Sequence, residues 1–185
     1  MLNNIRTIDF KKYSSIKIGP VLDVLVINEI GDYSDYEIIG RANNLLISPN
    51  TNKKFAILGE EFDYIKQEEN LLYVGCATTS GKLLTYARKN DIKNLEFLAK
   101  LPGNLGGLVK MNAGLKSWEM FNYIHSIKTK DAYIKKEDIE YSYVFKMNEA
   151  VTELPKYNGI WELGSYGKQY LQFYITKLSA ENGPQ

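Results

Sequence analysis

Between Leu101 and Gly114 the chain reads LPGNLGGLVKMNAG, four glycines and a proline among fourteen residues that are otherwise largely apolar. Each glycine costs a regular helix or strand about 0.5–1 kcal/mol, and a surface loop is normally more polar. The stretch suits a backbone that something approaches closely. Pro102-Gly103 predicts a type II turn. Gly106-Gly107 leaves two consecutive residues without side chains, against which a planar ring or another backbone can lie. Asn112 and Gly114 predict a second turn. Tight packing of a loop against a sheet would leave the same composition.

A second segment, Ile38-Ile39-Gly40-Arg41-Ala42-Asn43-Asn44-Leu45-Leu46, runs from a strand into a turn of small and amide residues and back to apolar sequence. Gly40 relieves the turn sterically, and Asn43 and Asn44 tolerate left-handed backbone angles. Successive amides in such a turn form a concave nest for a phosphate or pyrophosphate, and Arg41 adds positive charge. A turn that merely connects two strands has the same signature.

Around these segments the pattern is strand-rich. Strands are predicted at 21–28, 37–40, 55–59 and 71–75, then at 124–129, 132–134 and 141–145, with an apolar Leu45-Leu46-Ile47 between two turn clusters. One helix is predicted over 80–89, with Leu83, Leu84 and Ala87 on its apolar face and Thr78, Thr79 or Ser80 as its N-cap. After about residue 153 the sequence turns aromatic, with Tyr157, Trp161, Tyr166, Tyr170, Phe173 and Tyr174 close together. The 185 residues suit one domain or two small ones, with an organisational boundary near residue 70.

Twenty-three basic and 22 acidic residues give a net charge of +1, which argues against a broad nucleic-acid footprint and leaves room for a local phosphate pocket. One cysteine, Cys76, and one histidine, His125, build neither a disulfide nor a metal constellation. His125 is expected to be packed, and Cys76 to be a small core residue. No run of 18 apolar residues and no apolar signal core is present, so no membrane partner and a cytoplasmic location are expected.

The pairing of IIGRANNLLIS with NLEFLAKLPGNLGGLVKMNAG about fifty residues later resembles the UDP-N-acetylenolpyruvoylglucosamine reductases, the MurB flavoenzymes of peptidoglycan precursor synthesis. Gly40, Asn43 and Asn44 fit the first family motif. Glu96, Leu98, Pro102, Gly103, Gly106, Gly107, Asn112, Ala113 and Gly114 fit the second. YSSIKIGP, residues 13–20, resembles the family's start. The likeness covers roughly residues 8–145 and is nearest to the short epsilonproteobacterial-like forms, with the C-terminal part read as truncated or altered.

The resemblance implies an α+β, two-subdomain FAD-binding fold of the vanillyl-alcohol-oxidase type. Residues 1–70 would form the first subdomain and 71–153 the second, with 154–185 a short remnant of a largely missing third, substrate domain. It implies FAD as cofactor, NADPH as reductant and a UDP-sugar substrate, UDP-N-acetylglucosamine enolpyruvate, reduced to UDP-N-acetylmuramate. The implied cofactor residues are Gly40, Arg41, Ala42, Asn43, Asn44 and Leu45 at the pyrophosphate, and Pro102, Gly103, Gly106, Gly107, Asn112 and Gly114 along the flavin. For catalysis it points to Ser165 as proton donor and to Tyr143. Val144 stands where the family has an arginine, and a valine cannot donate to a carboxylate. Lys146, two residues on, would share that face of a strand. Two other readings fit the same residues: a flavin- or nucleotide-binding protein without turnover, and a structural or partner-binding domain with an empty cleft.

Overall fold

A computed structural model describes residues 4–139 and the backbones of two further strands, Ile160–Glu162 and Phe173–Ser179. The expected strand at 141–145 and the candidate residues Tyr143, Val144, Lys146 and Ser165 lie outside the described residues.

β1 (Ile5–Asp9) leads into a single helical turn, α1 (Phe10–Tyr13), which Asp9 caps by accepting from the Lys11 amide. β2 (Val21–Ile27), β3 (Tyr36–Ile38), β4 (Leu45–Ile47) and β5 (Lys54–Leu58) follow. One sheet has the order β1-β2-β5-β3, with β1 antiparallel to β2 and both β2 and β3 parallel to β5. Phe55, Ala56 and Ile57 of β5 are all buried. A strand with parallel neighbours on both sides is covered on both faces, so it reads as an apolar run rather than an alternation. Phe10, Val24, Ile39 and Phe55 fill one face of the sheet, and Ile27, Ala56 and Phe62 the other.

β6 (Ile65–Glu68) and β7 (Leu71–Gly75) start a second sheet. Then come α2 (Ser80–Lys89) and α3 (Leu105–Lys110), the two-residue strands β8 (Gly114–Leu115) and β9 (Trp118–Glu119), then β10 (Ile124–Thr129) and β11 (Tyr133–Lys135). β12 (Ile160–Glu162) pairs with β4, and β13 (Phe173–Ser179) enters the second sheet between β10 and β7. That sheet has the order β11-β10-β13-β7-β6 and is antiparallel throughout.

Two features differ from the sequence reading. β6 hydrogen-bonds to β7, so the passage from one sheet to the other falls between β5 and β6. Part of the stretch expected as a remnant instead supplies a central strand: Ile175 faces Gly75 on one side, and Thr176 faces Ile127 on the other. The alternating Phe-Tyr-Ile-Thr-Lys-Leu run has the β propensity for this, and the gap between β7 and β10 supplies the backbone partners.

α2 forms where the sequence places it. Thr79 is its N-cap and accepts from the Lys82 amide at 3.2 Å. Leu83, Leu84 and Ala87 turn inward against Phe97, Leu98, Leu105, Leu108, Met120 and Ile127. Tyr123 is fully covered, stacked between Phe97 (5.3 Å between ring centres) and Trp118 (6.2 Å). His125, expected to be packed, lies on β10 with its side chain exposed, because the alternation of that strand turns Ile124 and Ser126 inward instead.

Candidate functional site

The glycine segment is where local propensity and structure part. Residues 105–110 are helical despite Gly106 and Gly107. Two hydrogen bonds from outside the helix explain this. The Leu105 amide donates to the Thr78 carbonyl at 2.8 Å and the Gly106 amide to the Cys76 carbonyl at 2.9 Å. These satisfy first-turn donors that a helix leaves orphaned, while Leu105, Leu108 and Val109 bury in the core. Gly106 is required by proximity: a Cβ there would lie 3.0 Å from Cys76 Cβ and 3.2 Å from Cys76 O. Gly107 differs, since a Cβ there would meet nothing within 4 Å.

Pro102-Gly103 is a bend rather than the type II turn expected, with Gly103 at φ +142°, well past the about +80° of that turn. Its carbonyl is drawn to α2, where it accepts from the Ser80 amide at 2.9 Å. Asn112 does take a left-handed angle, φ +42°.

In the other segment the left-handed residue is Ala42, at φ +50° and buried, rather than Asn43 or Asn44. The two asparagines have a different task, tying the turn to its surroundings. Asn43 Nδ2 donates to the Pro102 carbonyl at 2.9 Å, and Asn43 Oδ1 accepts from the Ser15 amide at 3.4 Å. Asn44 Nδ2 reaches Met111 Sδ at 3.6 Å. The Tyr13 hydroxyl donates to the Gly40 carbonyl at 3.0 Å, and the Arg41 guanidinium lies 5.6 Å above the Tyr13 ring. Burial pushes the Tyr13 phenol up, against the lowering pull of Arg41 and Arg6.

The two segments thus meet. A Cβ on Gly40 would stand 3.9 Å from Gly107 Cα and 3.9 Å from Asn104 Cβ. Both border one cleft of about 1640 Å³, more than the roughly 300–1,000 Å³ that drug-sized ligands occupy. Gly40, Arg41, Ala42, Asn43, Asn44 and Leu45 all border it, as do Pro102, Gly103, Gly106 and Gly107. Asn112 and Gly114 lie off its lining. Asn112 is buried and bonds within its own lobe, donating to Glu119 Oε2 at 2.8 Å and accepting from the Phe121 amide at 2.9 Å.

Several lining residues carry no signal in the sequence. Asn104 heads α3 without capping it, and its Oδ1 is buried in the cleft region with no partner among the described residues. That leaves an acceptor for a ligand N–H or O–H. Cys76 borders the cleft as well as the core. At the rim, Lys130 reaches across from the β10–β11 turn to Asp32 at 2.8 Å, which holds the Asp32 carboxyl down at about 2. Among the described residues no group of His, Cys, Asp and Glu is placed to hold a metal ion, and no helix is long and apolar enough to cross a membrane.

This is the architecture of a two-sheet α+β protein with an elongated cleft between a nest-like turn and a glycine helix, and solved structures share it. The UDP-N-acetylenolpyruvylglucosamine reductase (MurB) of Thermus caldophilus superposes with a TM-score of 0.67 at 17% identity, over 96% of this chain and 62% of that one, so the fold is MurB-like. Sequence makes the relation specific. The UDP-N-acetylenolpyruvoylglucosamine reductase of Campylobacter jejuni (strain RM1221) is 44% identical over 143 residues, 75% of this chain and 55% of that protein. Its counterpart from Helicobacter pylori (strain 26695) is 44% identical over 138 residues, 74% of this chain and 53% of that protein. No family model matches. By sequence the chain belongs with the UDP-N-acetylenolpyruvoylglucosamine reductases, chiefly those of epsilonproteobacteria. It spans about half the length of the curated relatives it matches.

Proposed function

We propose that the chain is a flavoprotein of the UDP-N-acetylenolpyruvoylglucosamine reductase type. It would bind FAD between two subdomains and serve NADPH-dependent reduction of UDP-N-acetylglucosamine enolpyruvate in peptidoglycan precursor synthesis. The observation that carries this reading is the convergence of the turn at Gly40–Leu45 with the helix at Leu105–Lys110 on one cleft, tied together by Asn43 and Pro102.

The residues present fit the cofactor. The left-handed Ala42 turn offers a nest for a diphosphate. Gly107 leaves the cleft wall flat where a ring system would lie, and Asn104 Oδ1 supplies an unused acceptor. Bound FAD supplies hydride transfer; the protein supplies position and electrostatics. Asn43 holds the turn in register with the glycine helix, and Tyr13 fixes the Gly40 carbonyl. Ser165, Tyr143 and Lys146 are the proposed substrate-side groups.

A second reading, cofactor binding without turnover, is favoured by Val144 in place of the expected arginine. The visible spectrum of the purified protein tests the first step. A yellow protein that loses its flavin bands in Gly107→Trp supports it, and a colourless protein that cannot be reconstituted with FAD overturns it. NADPH oxidation tests the second step: no acceleration by UDP-N-acetylglucosamine enolpyruvate leaves binding alone.

A further inference from the structure

The lobes are tied across the cleft in two different ways. At the nest turn, Asn43 donates to the Pro102 carbonyl at 2.9 Å, Asn44 reaches Met111 Sδ at 3.6 Å, and a Cβ on Gly40 would stand 3.9 Å from Gly107 Cα. These short-range contacts run from the first sheet onto the residues around α3. The other tie is an ion pair. Lys130 Nζ, on the turn between β10 and β11, lies 2.8 Å from Asp32 Oδ2, on the segment between β2 and β3. The partners are 98 residues apart in the chain, and both border the cleft.

Each partner is set in place by its own loop. Asp32 Oδ1 accepts from the Ser34 amide at 3.0 Å, which orients the carboxylate and turns Oδ2 to the lysine. Ser34, Asp35 and Tyr36 continue the same lip of the cleft. Opposite them, the Thr129 amide donates to the Ala132 carbonyl at 2.9 Å, and Thr129 Oγ1 accepts from the Asp131 amide at 3.3 Å and the Ala132 amide at 3.2 Å. A turn closed on itself in this way carries Lys130 at a fixed place, which lowers the ordering entropy that weakens most exposed pairs. The pair nevertheless stays in water, with its side chains 40% and 62% exposed. Such a pair is weak and is screened by salt. One tie is therefore a set of packed contacts beside a core helix, and the other an exposed charge contact that opens first.

We propose that the Lys130–Asp32 pair is a latch on the rim of the cleft, which opens to pass an occupant and closes over it. Taking that occupant as FAD rests on the function proposed above; the latch itself does not. A latch has a kinetic signature of its own. Breaking it populates the open form of the empty and of the filled protein alike, so entry and release quicken together while affinity stays nearly constant. Loss of a ligand contact speeds release alone.

Electron–electron resonance on the flavin-free full chain, spin-labelled at Ile30→Cys and Ala132→Cys, reads the gap directly. Both positions are exposed, and Cys76 is buried out of a label's reach. The expected result is a short distance at low salt. A longer population should appear when salt is raised, and in Asp32→Asn or Lys130→Gln, and the charge reversal Asp32→Lys/Lys130→Asp should restore the short one. Stopped-flow absorbance with FAD then reads exchange. In the single variants entry and release should both rise about two- to fivefold, with Kd held within about twofold. Distances that ignore both the variants and salt overturn the proposal, and so does release that quickens without entry. A chain that takes up no FAD but keeps the salt- and charge-dependent distance sinks the flavin reading and leaves the latch standing.

Discussion

Two neighbouring glycines with the same backbone should respond in opposite ways to one added methyl group. At Gly106 a Cβ would be forced to 3.0 Å from Cys76 Cβ and 3.2 Å from the Cys76 carbonyl oxygen. That oxygen is pinned by the hydrogen bond from the Gly106 amide itself, at 2.9 Å, so neither partner can retreat without loosening the loop from α3. Overpacking of this kind costs about 1–3 kcal/mol, and the helix gain of replacing glycine by alanine returns at most about 1 kcal/mol. Gly106→Ala should therefore melt several degrees lower, at about 2–4 °C per kcal/mol for a chain of this size. At Gly107 a Cβ meets nothing within 4 Å. Gly107→Ala gains helix propensity of about 0.5–1 kcal/mol and should melt about 1–4 °C higher without cofactor. Yet the methyl stands at a cleft-lining position, where a flat ring system would need its space. Flavin affinity should drop by roughly five- to a hundredfold, the equivalent of about 1–3 kcal/mol of steric cost. Thermal melts of the flavin-free proteins and absorbance titrations with FAD read the two quantities independently. A Gly107→Ala protein that is more stable and binds FAD as wild type would refute the placement of the flavin against α3. A Gly106→Ala protein as stable as wild type would refute the described contact between α3 and the Cys76 loop.

Asn43→Ala removes the bond to the Pro102 carbonyl and should destabilise by about 1–2 kcal/mol, with flavin affinity falling alongside; an unchanged flavin titration would mean the Asn43–Pro102 tie does not shape the cleft. Asn112→Ala loses two buried hydrogen bonds and forces a left-handed alanine, about 2–4 kcal/mol in all. Asn112→Gly should recover about 1 kcal/mol of that by relieving φ alone, which paired denaturant melts can resolve. Tyr123 carries a buried hydroxyl with no partner among the described residues, and burial pushes its phenol up to about 12. Tyr123→Phe keeps the ring stack and should be neutral or stabilising by up to about 1 kcal/mol, so a clear fall in melting temperature would reveal a bond to that hydroxyl. Asp32, at the rim, is held at about 2 by its bond to Lys130. Its folded pKa lies below its unfolded one, so the interlobe contact is fully present above the ordinary value of 3.8 and is lost as pH falls through about 2. An NMR titration should show that midpoint, moving back toward 3.8 in Lys130→Gln.

What was legible in the sequence was whatever local pattern decides. The short apolar runs became β2, β5, β7 and β10, and the cap at Thr79 and the apolar stripe of Leu83, Leu84 and Ala87 fixed α2. The glycine segment was legible as a place of close approach but not as a helix. Its helicity depends on two carbonyls contributed by residues 76–78, nearly thirty positions earlier, and no local propensity encodes that. The same limit explains Ala42: asparagine is the usual left-handed residue, but here both asparagines are held by partners across the fold, at Pro102 and Met111, and the strained angle passes to the neighbour with the smallest side chain. Asn104 and Lys130 were not singled out in the sequence; each becomes notable only in the fold, Asn104 because a buried oxygen lacks a partner among the described residues and Lys130 because its charge reaches across to the other sheet. This bears on function directly. The residues readable from sequence are those that let the backbone approach a ligand, and they argue for holding a flat cofactor and a diphosphate. The residues visible only in the fold are an acceptor in the cleft, Asn104, and charges at its rim, Lys130 and Asp32. Cofactor binding and turnover are therefore separately testable in this chain, and the FAD titration of Gly107→Ala probes the first without assuming the second.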